Sequence, residues 1–324
     1  MTDDRTEGHT DVAVIGAGMA GLTCARALAE AGLRVQVLDK GRGIGGRMAT
    51  RRAQVAGEEM RFDHGAQYVT ALDPGFAALL EDAETAGAAA VWDDNGPRPR
   101  FTGVPGMSAL PRFLAADLDV RQRVTVTALT PAATGWTVHA GDTALTAHRV
   151  VLTVPAPQAV TLLGAAHPLA KALDAVEMAP CLTLMAAFPE AGAPDIRFRA
   201  DEDHPLPWIA RDSSRPGRAR PGLSGWVAQA SPEWSAQHLE ETPDAIAAAM
   251  LPLLAEALDL DPAAVLHTSA HRWRYARVTR PLGAPFLTDA DTGLWLGGDW
   301  CLGPRVEAAW QSGHAIAADI LARG

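Results

Sequence analysis

Asp11–Lys40 reads DVAVIGAGMAGLTCARALAEAGLRVQVLDK, and the rest of the chain is organised around it. Four apolar residues, Val12 to Ile15, suit a strand buried on both faces of a parallel sheet. Gly16-Ala17-Gly18-Met19-Ala20-Gly21 follows at once. The next residues predict a helix with Leu22, Ala25, Leu28 and Ala29 on one face and Gly32 after its end. A second apolar run, Val35 to Leu38, closes on Asp39. In such a unit Gly16 makes the tight turn, Gly18 lets the backbone approach a pyrophosphate, and Gly21 lets the helix pack closely on the sheet. The helix start at Met19 and Ala20 offers free N–H groups and a positive dipole end to phosphate. Asp39 stands where a carboxylate accepts ribose hydroxyls. Glycine spacing alone is a weak signal; strand, glycines, helix, strand and acid in this order are specific. The unit by itself does not choose between NAD and FAD.

The 324 residues are too many for one small core and suit two interleaved domains. Hydrophobic and charged contents of 48% and 20% fit a soluble globular enzyme. A net charge of -10 argues against nucleic acid or an anionic membrane as a partner. Arginine supplies nearly all the positive charge, since Lys40 and Lys171 are the only lysines. Cys24, Cys181 and Cys301 are too scattered for a disulfide framework or a metal site, which points to a reducing, cytoplasmic setting and no metal. Met1 to Thr10 is polar and acidic, expected as a mobile tail and not a signal peptide. The apolar stretch from Val150 to Ala166 is broken by Pro155, Pro157 and Gln158 and cannot span a bilayer.

After Asp39, Lys40-Gly41-Arg42-Gly43-Ile44-Gly45-Gly46-Arg47 forms a second glycine-rich loop. Its glycines free the backbone to curl against a ligand, and Arg42 and Arg47 can meet phosphate charge. Lys40, Gly45 and Gly46 count with them as candidate cofactor contacts. Asp63-His64-Gly65-Ala66-Gln67-Tyr68 is a third small-residue turn, in which His64, Gly65, Ala66 and Gln67 are further candidates. A satisfied structural imidazole is as good a reading of His64 as a catalytic one.

GRGIGGRMATRR and DHGAQYVTALDPGF resemble the flavin amine-oxidase superfamily and, more narrowly, bacterial renalase-like oxidoreductases. TVPAPQA, WIARDSSRPGR, HRWRYAR and GGDWCLGPRVEAAWQSG extend the resemblance over essentially the whole chain. It implies an α/β fold with a Rossmann-type, glutathione-reductase-like FAD-binding domain and an inserted mixed α+β substrate domain. The expected FAD-binding domain comprises 1–70, 104–165 and 272–324, and the substrate domain 71–103 and 166–271. The resemblance also implies non-covalent FAD, with Val124 at the adenine and Thr153 and Pro155 near the cofactor. Asp299, after Gly298, is implied at the ribityl or pyrophosphate end, and Arg305, Val306 and Glu307 at the flavin ring. A first-turn acid complementing the helix dipole is an equally good reading of Glu307. Asp39 departs from the Glu usual in the superfamily but still reaches a ribose. Cys301 follows the pyrophosphate-end acid, which speaks against a covalent flavin link; Cys24 and Cys181 suit the core.

Local patterning predicts a helix over Phe76 to Ala90, a loop over Trp92 to Gly106, and a helix begun by Ser108 and running through Ala116. Strands are expected at Val120 to Thr127, Gly135 to Ala140 and Arg149 to Val154. From Leu169 to about His271 the pattern suits a mixed or antiparallel sheet with helices on one face. Its strands are expected at Cys181 to Phe188 and Leu223 to Ala230, and an amphipathic helix at Thr242 to Leu258, kinked at Pro252. A strand at Leu294 to Leu296 and a helix at Arg305 to Ala322 close the chain.

Strand alternation places His271, Trp273 and Tyr275 on one face and Arg272 and Arg274 on the other. The functional reading assigns Trp273 to the cofactor and builds a substrate wall from Tyr68, Trp208, Arg211, His271 and Tyr275. A half-buried strand at a domain seam is the structural alternative. Arg215, Arg218 and Arg220 are expected in a solvated loop. No convincing acid/base pair emerges. Neither lysine falls where many amine oxidases hold a water-binding lysine, and no second dinucleotide fold is present. The renalase-like resemblance implies oxidation of 2- and 6-dihydro isomers of NAD(P)H to NAD(P)+, with O2 reduced to hydrogen peroxide. A flavin amine oxidase or another FAD-dependent dehydrogenase is the alternative enzyme. A non-catalytic binding protein on the same fold is disfavoured by the intact cofactor loops.

Overall fold

The computed structural model describes residues 9–93 and 95–324. The expected tail thus lies outside the described residues except for His9 and Thr10, which already belong to the first strand. In chain order the elements begin β1 (His9–Ile15), α1 (Met19–Glu30), β2 (Val35–Asp39), β3 (Thr50–Val55), β4 (Glu58–Asp63) and α2 (Pro74–Thr85). They continue with β5 (Ala89–Asp93), β6 (Arg100–Gly103), α3 (Ala109–Leu114), β7 (Asp119–Gln122), β8 (Ala128–Pro131) and β9 (Trp136–Ala140). Next come β10 (Thr143–Leu152), α4 (Ala156–Leu163), α5 (Pro168–Ala172), β11 (Glu177–Pro189), β12 (Phe198–Ala200) and β13 (Trp208–Arg211). The last are β14 (Leu223–Gln229), α6 (Pro232–Gln237), α7 (Pro243–Leu258), β15 (His267–Arg280), β16 (Leu287–Asp289), β17 (Leu294–Leu296) and α8 (Val306–Ala322).

Two compact units share this chain. The first takes the stretch up to Gly46, Pro111–Glu177 and Val278–Gly324; the second takes Arg47–Leu110 and Met178–Arg277. These bounds differ from the expected ones in giving residues 47–70, 104–110 and 272–277 to the second unit, where β3 and β4 pair as a hairpin, and 166–177 to the first.

The sheet of the first unit runs β16-β17-β10-β1-β2-β7, with β8 and β9 joined to β10 as an antiparallel meander. β1 pairs in parallel with β2 on one side and with β10 on the other. The chain winds outward from β1 in both directions, so the carboxyl ends of β1 and β10 form a topological switch point, where doubly wound sheets bind ligands. Val12, Ala13 and Val14 are wholly buried, as a strand covered on both faces requires. The strand expected at Val120 to Thr127 is cut short: β7 ends at Gln122, where Arg123 turns at φ 62, and the next strand, β8, begins only at Ala128.

In the second unit the sheet order is β12-β13-β14-β11-β15. Alternation along β11 sorts its side chains. Leu182, Leu184, Ala186 and Phe188 pack in one cluster with Ile246, Met250 and Leu254 of α7. Met185 and Ala187 point the other way, into a cluster with Val55, Met60 and Phe62 of the β3–β4 hairpin. Thr242 caps α7 by accepting from Ala245 N, and Pro252 lies inside it.

Three expectations fail here. The helix after Phe76 stops at Thr85, because Gly87 takes φ 71 and its neighbours close the end with Gly87 N to Glu84 O and Ala88 N to Ala83 O bonds. The expected loop from Trp92 to Gly106 contains β6, which pairs with β5. Ser108 precedes α3, which ends at Leu114, short of Ala116. Among the described residues no helix is long and apolar enough to cross a membrane.

Candidate functional site

In the first unit, Gly16 leaves β1 at φ 113. A Cβ on Gly21 would meet Gly16 O at 2.0 Å and Thr153 Oγ1 at 2.6 Å, so only glycine lets α1 sit this close to the sheet. Thr153 Oγ1 in turn donates to the carbonyls of Ile15 and Gly16, each at 3.1 Å. A Cβ on Gly18 would have nothing within 4 Å, which leaves open space at the start of α1. No side chain caps that helix, so the N–H groups around Met19 and Ala20 are available to an anion. The second glycine loop folds against the first: Gly45 N donates to Ala17 O at 2.8 Å, and Gly46, at φ 54, lies beside Gly18.

Asp39 is more committed than the sequence suggests. Its Oδ2 accepts from Ala17 N and its Oδ1 from Gly41 N, both at 2.6 Å. Each oxygen keeps a second lone pair for a ribose hydroxyl. Val124 N donates to Asp39 O at 2.9 Å. Lys40 Nζ reaches Gln158 Oε1 at 3.0 Å, and Arg42 is exposed.

The carboxyl-terminal motif builds a second helix start. A Cβ on Gly297 would meet Ile316 and Ser312, each at 2.5 Å, and Gly298 N donates to Ser312 Oγ at 2.9 Å. Asp299 is buried, and Trp300 Nε1 ties the turn to Val154 O at 3.1 Å, next to Pro155 at the head of α4. α8 begins at Val306 without a side-chain cap from Arg305. Glu307 is buried in its first turn, 3.7 Å from Arg305, which favours its reading as a dipole-complementing acid. Cys301 is fully buried and burial pushes its thiol up to about 12, so it is a core residue. Cys24 is likewise buried, and Cys181 is half-buried with its thiol raised by burial to about 11.

In the second unit, the Asp63–Tyr68 turn carries two ring clusters. His64 stacks on Trp273 at 5.3 Å and meets His271 edge-on at 4.7 Å, while Trp273 Nε1 donates to His64 O at 2.7 Å. Burial, helped by His271 and Arg51, lowers His64 to about 3. Burial and Arg51 lower His271 to about 4. Both imidazoles are therefore neutral near pH 7. The second cluster stacks Trp208 on Phe198 at 4.9 Å, with Tyr68 at 5.5 Å and the Arg100 guanidinium over both Tyr68 and Phe198. Trp208 Nε1 also donates to Gln67 Oε1 at 3.3 Å. A Cβ on Gly65 would lie 1.9 Å from Arg47 O, and Ala66 N bonds the same carbonyl at 2.8 Å. Arg47 Nη1 donates to Ala276 O at 2.9 Å.

The single wall expected from Tyr68, Trp208, Arg211, His271 and Tyr275 is thus divided. Alternation along β13 turns Arg211 to the face opposite Trp208, where it pairs with Glu190 and lies 3.6 Å from Asp195. Tyr275 is half-buried, and Arg272 and Arg274 turn away toward Leu239 O and Glu240 as alternation predicts. Arg215 and Arg218 are not solvated at all, being 2% and 4% exposed. They neutralise the buried Asp63 and Asp212: Arg218 bonds both carboxylates, and Arg215 Nε lies 2.9 Å from Asp212. Arg215 also donates to Gln67 O and, at 2.9 Å, to Gln67 Oε1, which pins the turn. Only Arg220 is partly exposed, at Glu59 O. Sequence reading missed Phe198 and Arg100, which carried no motif of their own, and did not single out Arg51, which lies at the end of GRGIGGRMATRR.

Residues 14–83 match the NAD(P)-binding Rossmann-like domain, and residues 83–321 match the flavin-containing amine oxidoreductases. The chain belongs to the flavin-containing amine oxidoreductase family. It is accordingly an enzyme of that oxidoreductase family, and its cofactor is FAD. The open starts of α1 and α8, the clear space at Gly18 and the carboxylate of Asp39 fit such a dinucleotide. Putrescine oxidase bound to putrescine has a similar fold, with a TM-score of 0.72 at 17% identity over 97% of this chain and 99% of that one. A candidate protoporphyrinogen oxidase from Exiguobacterium sp. 255-15 aligns with a TM-score of 0.77 at 12% identity over 98% and 100%. Cyclohexylamine oxidase from Brevibacterium oxydans IH-35A gives 0.64 at 15% identity over 97% and 99%. Among the described residues no group of His, Cys, Asp and Glu could hold a metal ion.

Proposed function

We propose that the protein is an FAD-dependent oxidase of renalase type, acting on 2- and 6-dihydro isomers of NAD(P)H. The observation that carries this reading is the weak basicity of the ring cluster in the second unit. With His64 lowered to about 3 and His271 to about 4, neither imidazole can take a proton from an ammonium group near neutral pH. Amine oxidation needs that proton removed, whereas a dihydropyridine loses only a hydride and becomes an aromatic pyridinium. No lysine falls in the second unit, since Lys40 and Lys171 both belong to the first. Bound FAD supplies a two-electron acceptor, with dioxygen as terminal oxidant and hydrogen peroxide as product.

In this reading the N–H groups at Met19 and Ala20 hold the pyrophosphate, Asp39 the ribose, Val124 the adenine, and Asp299 with the start of α8 the flavin end. The flat faces of Trp273 and His271 bind and orient the nicotinamide. Oxidation of a small amine is the second reading, favoured by the names of two similar solved structures. Anaerobic mixing with 2-, 4- and 6-dihydro isomers and with primary amines, followed by flavin absorbance, tests both. Rapid bleaching by the 2- or 6-dihydro forms and slow bleaching by ordinary NADH is expected. Bleaching by an amine alone would overturn the renalase reading.

A further inference from the structure

Most arginines of the second unit have a carboxylate: Arg61 has Glu59, Arg100 and Arg197 share Asp93, and Arg274 has Glu240. Arg51 does not. Among the described residues its polar contact is His271 Nδ1, 3.5 Å from Nη2. It stands on β3, opposite Phe62 of β4, and is half-buried. β15 presents His267 and His271 on one face by alternation, and His267 stacks on Phe62 at 6.1 Å. His64 completes the group, 95% buried by its 5% exposure, with Nδ1 lacking any hydrogen-bond partner. A guanidinium in partly desolvated surroundings, faced by imidazoles and no carboxylate, has an unmet demand for an anion.

We propose that Arg51, with His267 and His271, forms an oxyanion subsite that holds an anionic group of the substrate. Arg211, the arginine expected in the substrate wall, is already paired with Glu190. Two sources of the oxyanion share this chemistry: a phosphate of a dinucleotide, or the carboxylate of an amino acid. The former rests on the proposed function and the latter does not. Arg51 adds no proton transfer and breaks no bond; it fixes the charged end of the substrate while the rings orient the reacting end. His64, edge-on to His271 at 4.7 Å, has a buried Nδ1 without a hydrogen-bond partner in the same cluster.

The test uses the FAD-loaded protein and two measurements. Calorimetric titration with inorganic pyrophosphate at low salt should show binding that Arg51→Ala weakens about tenfold to a hundredfold, the scale of one charge-assisted hydrogen bond. Arg51→Lys should retain part of it, and Arg52→Ala, whose side chain is exposed on the same strand, should bind like the wild type. Second, the ratio of half-saturation concentrations for a 2- or 6-dihydronicotinamide riboside over its dinucleotide should fall by a similar factor in Arg51→Ala. Equal pyrophosphate binding by wild type and Arg51→Ala would overturn the subsite. An unchanged ratio would overturn a phosphate as its ligand, and competition by free amino acids would then assign the carboxylate. If no dihydronicotinamide bleaches the flavin while pyrophosphate binding still depends on Arg51, the proposed function falls and the subsite stands.

Discussion

Replacing Arg218 by methionine removes one charge from a cluster in which two guanidiniums balance two carboxylates. Arg218, Asp63 and Asp212 are 4%, 0% and 0% exposed, so water cannot take the place of the lost guanidinium. Arg218 Nη1 lies 2.6 Å from Asp212 Oδ2 and Nη2 bonds Asp63, so one substitution unmakes two pairs and leaves Arg215 alone between two carboxylates. Removing one partner of a buried pair costs about 3–5 kcal/mol. In a chain of this size that lowers the melting temperature by on the order of 10 °C. The loss also has a pH dependence of known sign. Burial raises Asp212 above the usual carboxylate range, and Arg218 and Arg215 oppose that rise. Without Arg218 the folded variant holds a proton to still higher pH than the unfolded chain does. Stability tied to a raised folded pKa is present at low pH and lost as pH rises through it, so the penalty should be smaller at about pH 5 than at about pH 8. Scanning calorimetry of the FAD-loaded proteins at both pH values measures it. Asp212→Asn in the same chain should recover part of the loss. A penalty below about 1 kcal/mol, or one larger at the lower pH, would refute this account of the cluster.

Three further outcomes are expected. Gly18→Ala should fold normally, since its Cβ meets nothing within 4 Å, yet bind FAD at least about tenfold more weakly; Gly21→Ala should lose stability by about 1–3 kcal/mol or more, because its Cβ would strike Gly16 O at 2.0 Å. Flavin absorbance per protein and urea midpoints separate the two cases. Acid precipitation should release all the yellow FAD to the supernatant, and colour kept in the pellet would contradict the burial of Cys301. His64 is lowered from 6.5 to about 3, so the stability it confers is present above 6.5 and lost as pH falls toward 3. His64→Phe should therefore flatten the fall of the urea midpoint with acidification, and an unaltered slope would count against a buried neutral imidazole.

The first unit was largely legible in the sequence because its signals are local. Val12 to Ile15, the glycines after them and Asp39 lie within one continuous stretch, and each residue's role follows from spacing. The second unit resisted the same treatment because its decisive contacts join distant residues. A run containing Asp212, Arg215, Arg218 and Arg220 reads as solvated by composition, and nothing in it announces that Asp63 will close the charge balance from far upstream. Arg211 looked like a partner for Trp208, yet a separation of three residues on a strand places them on opposite faces. Ala88 to Ala90 carry high helix propensity, but Gly87 and the pairing of β5 with β6 override it. His64, His271 and Trp273 were individually visible; their mutual stacking, and the exposure of Arg51 to them, depended on β3, β4 and β15 meeting.

A Cβ on Gly313 would lie 2.1 Å from Ala20 O, so α8 rests backbone to backbone on α1. Those helices are separated by almost the entire sequence, and this has a consequence for biosynthesis. As the chain leaves the ribosome, α1 emerges well before α8, with the surface that Gly313 will cover still bare. β10, the other parallel neighbour of β1, is also made much later. The phosphate-binding turn, made before both of them, therefore acquires its final surroundings only once they have arrived. A lesion confined to α8 would consequently surface as a failure to capture nucleotide at α1, with every glycine of the motif intact.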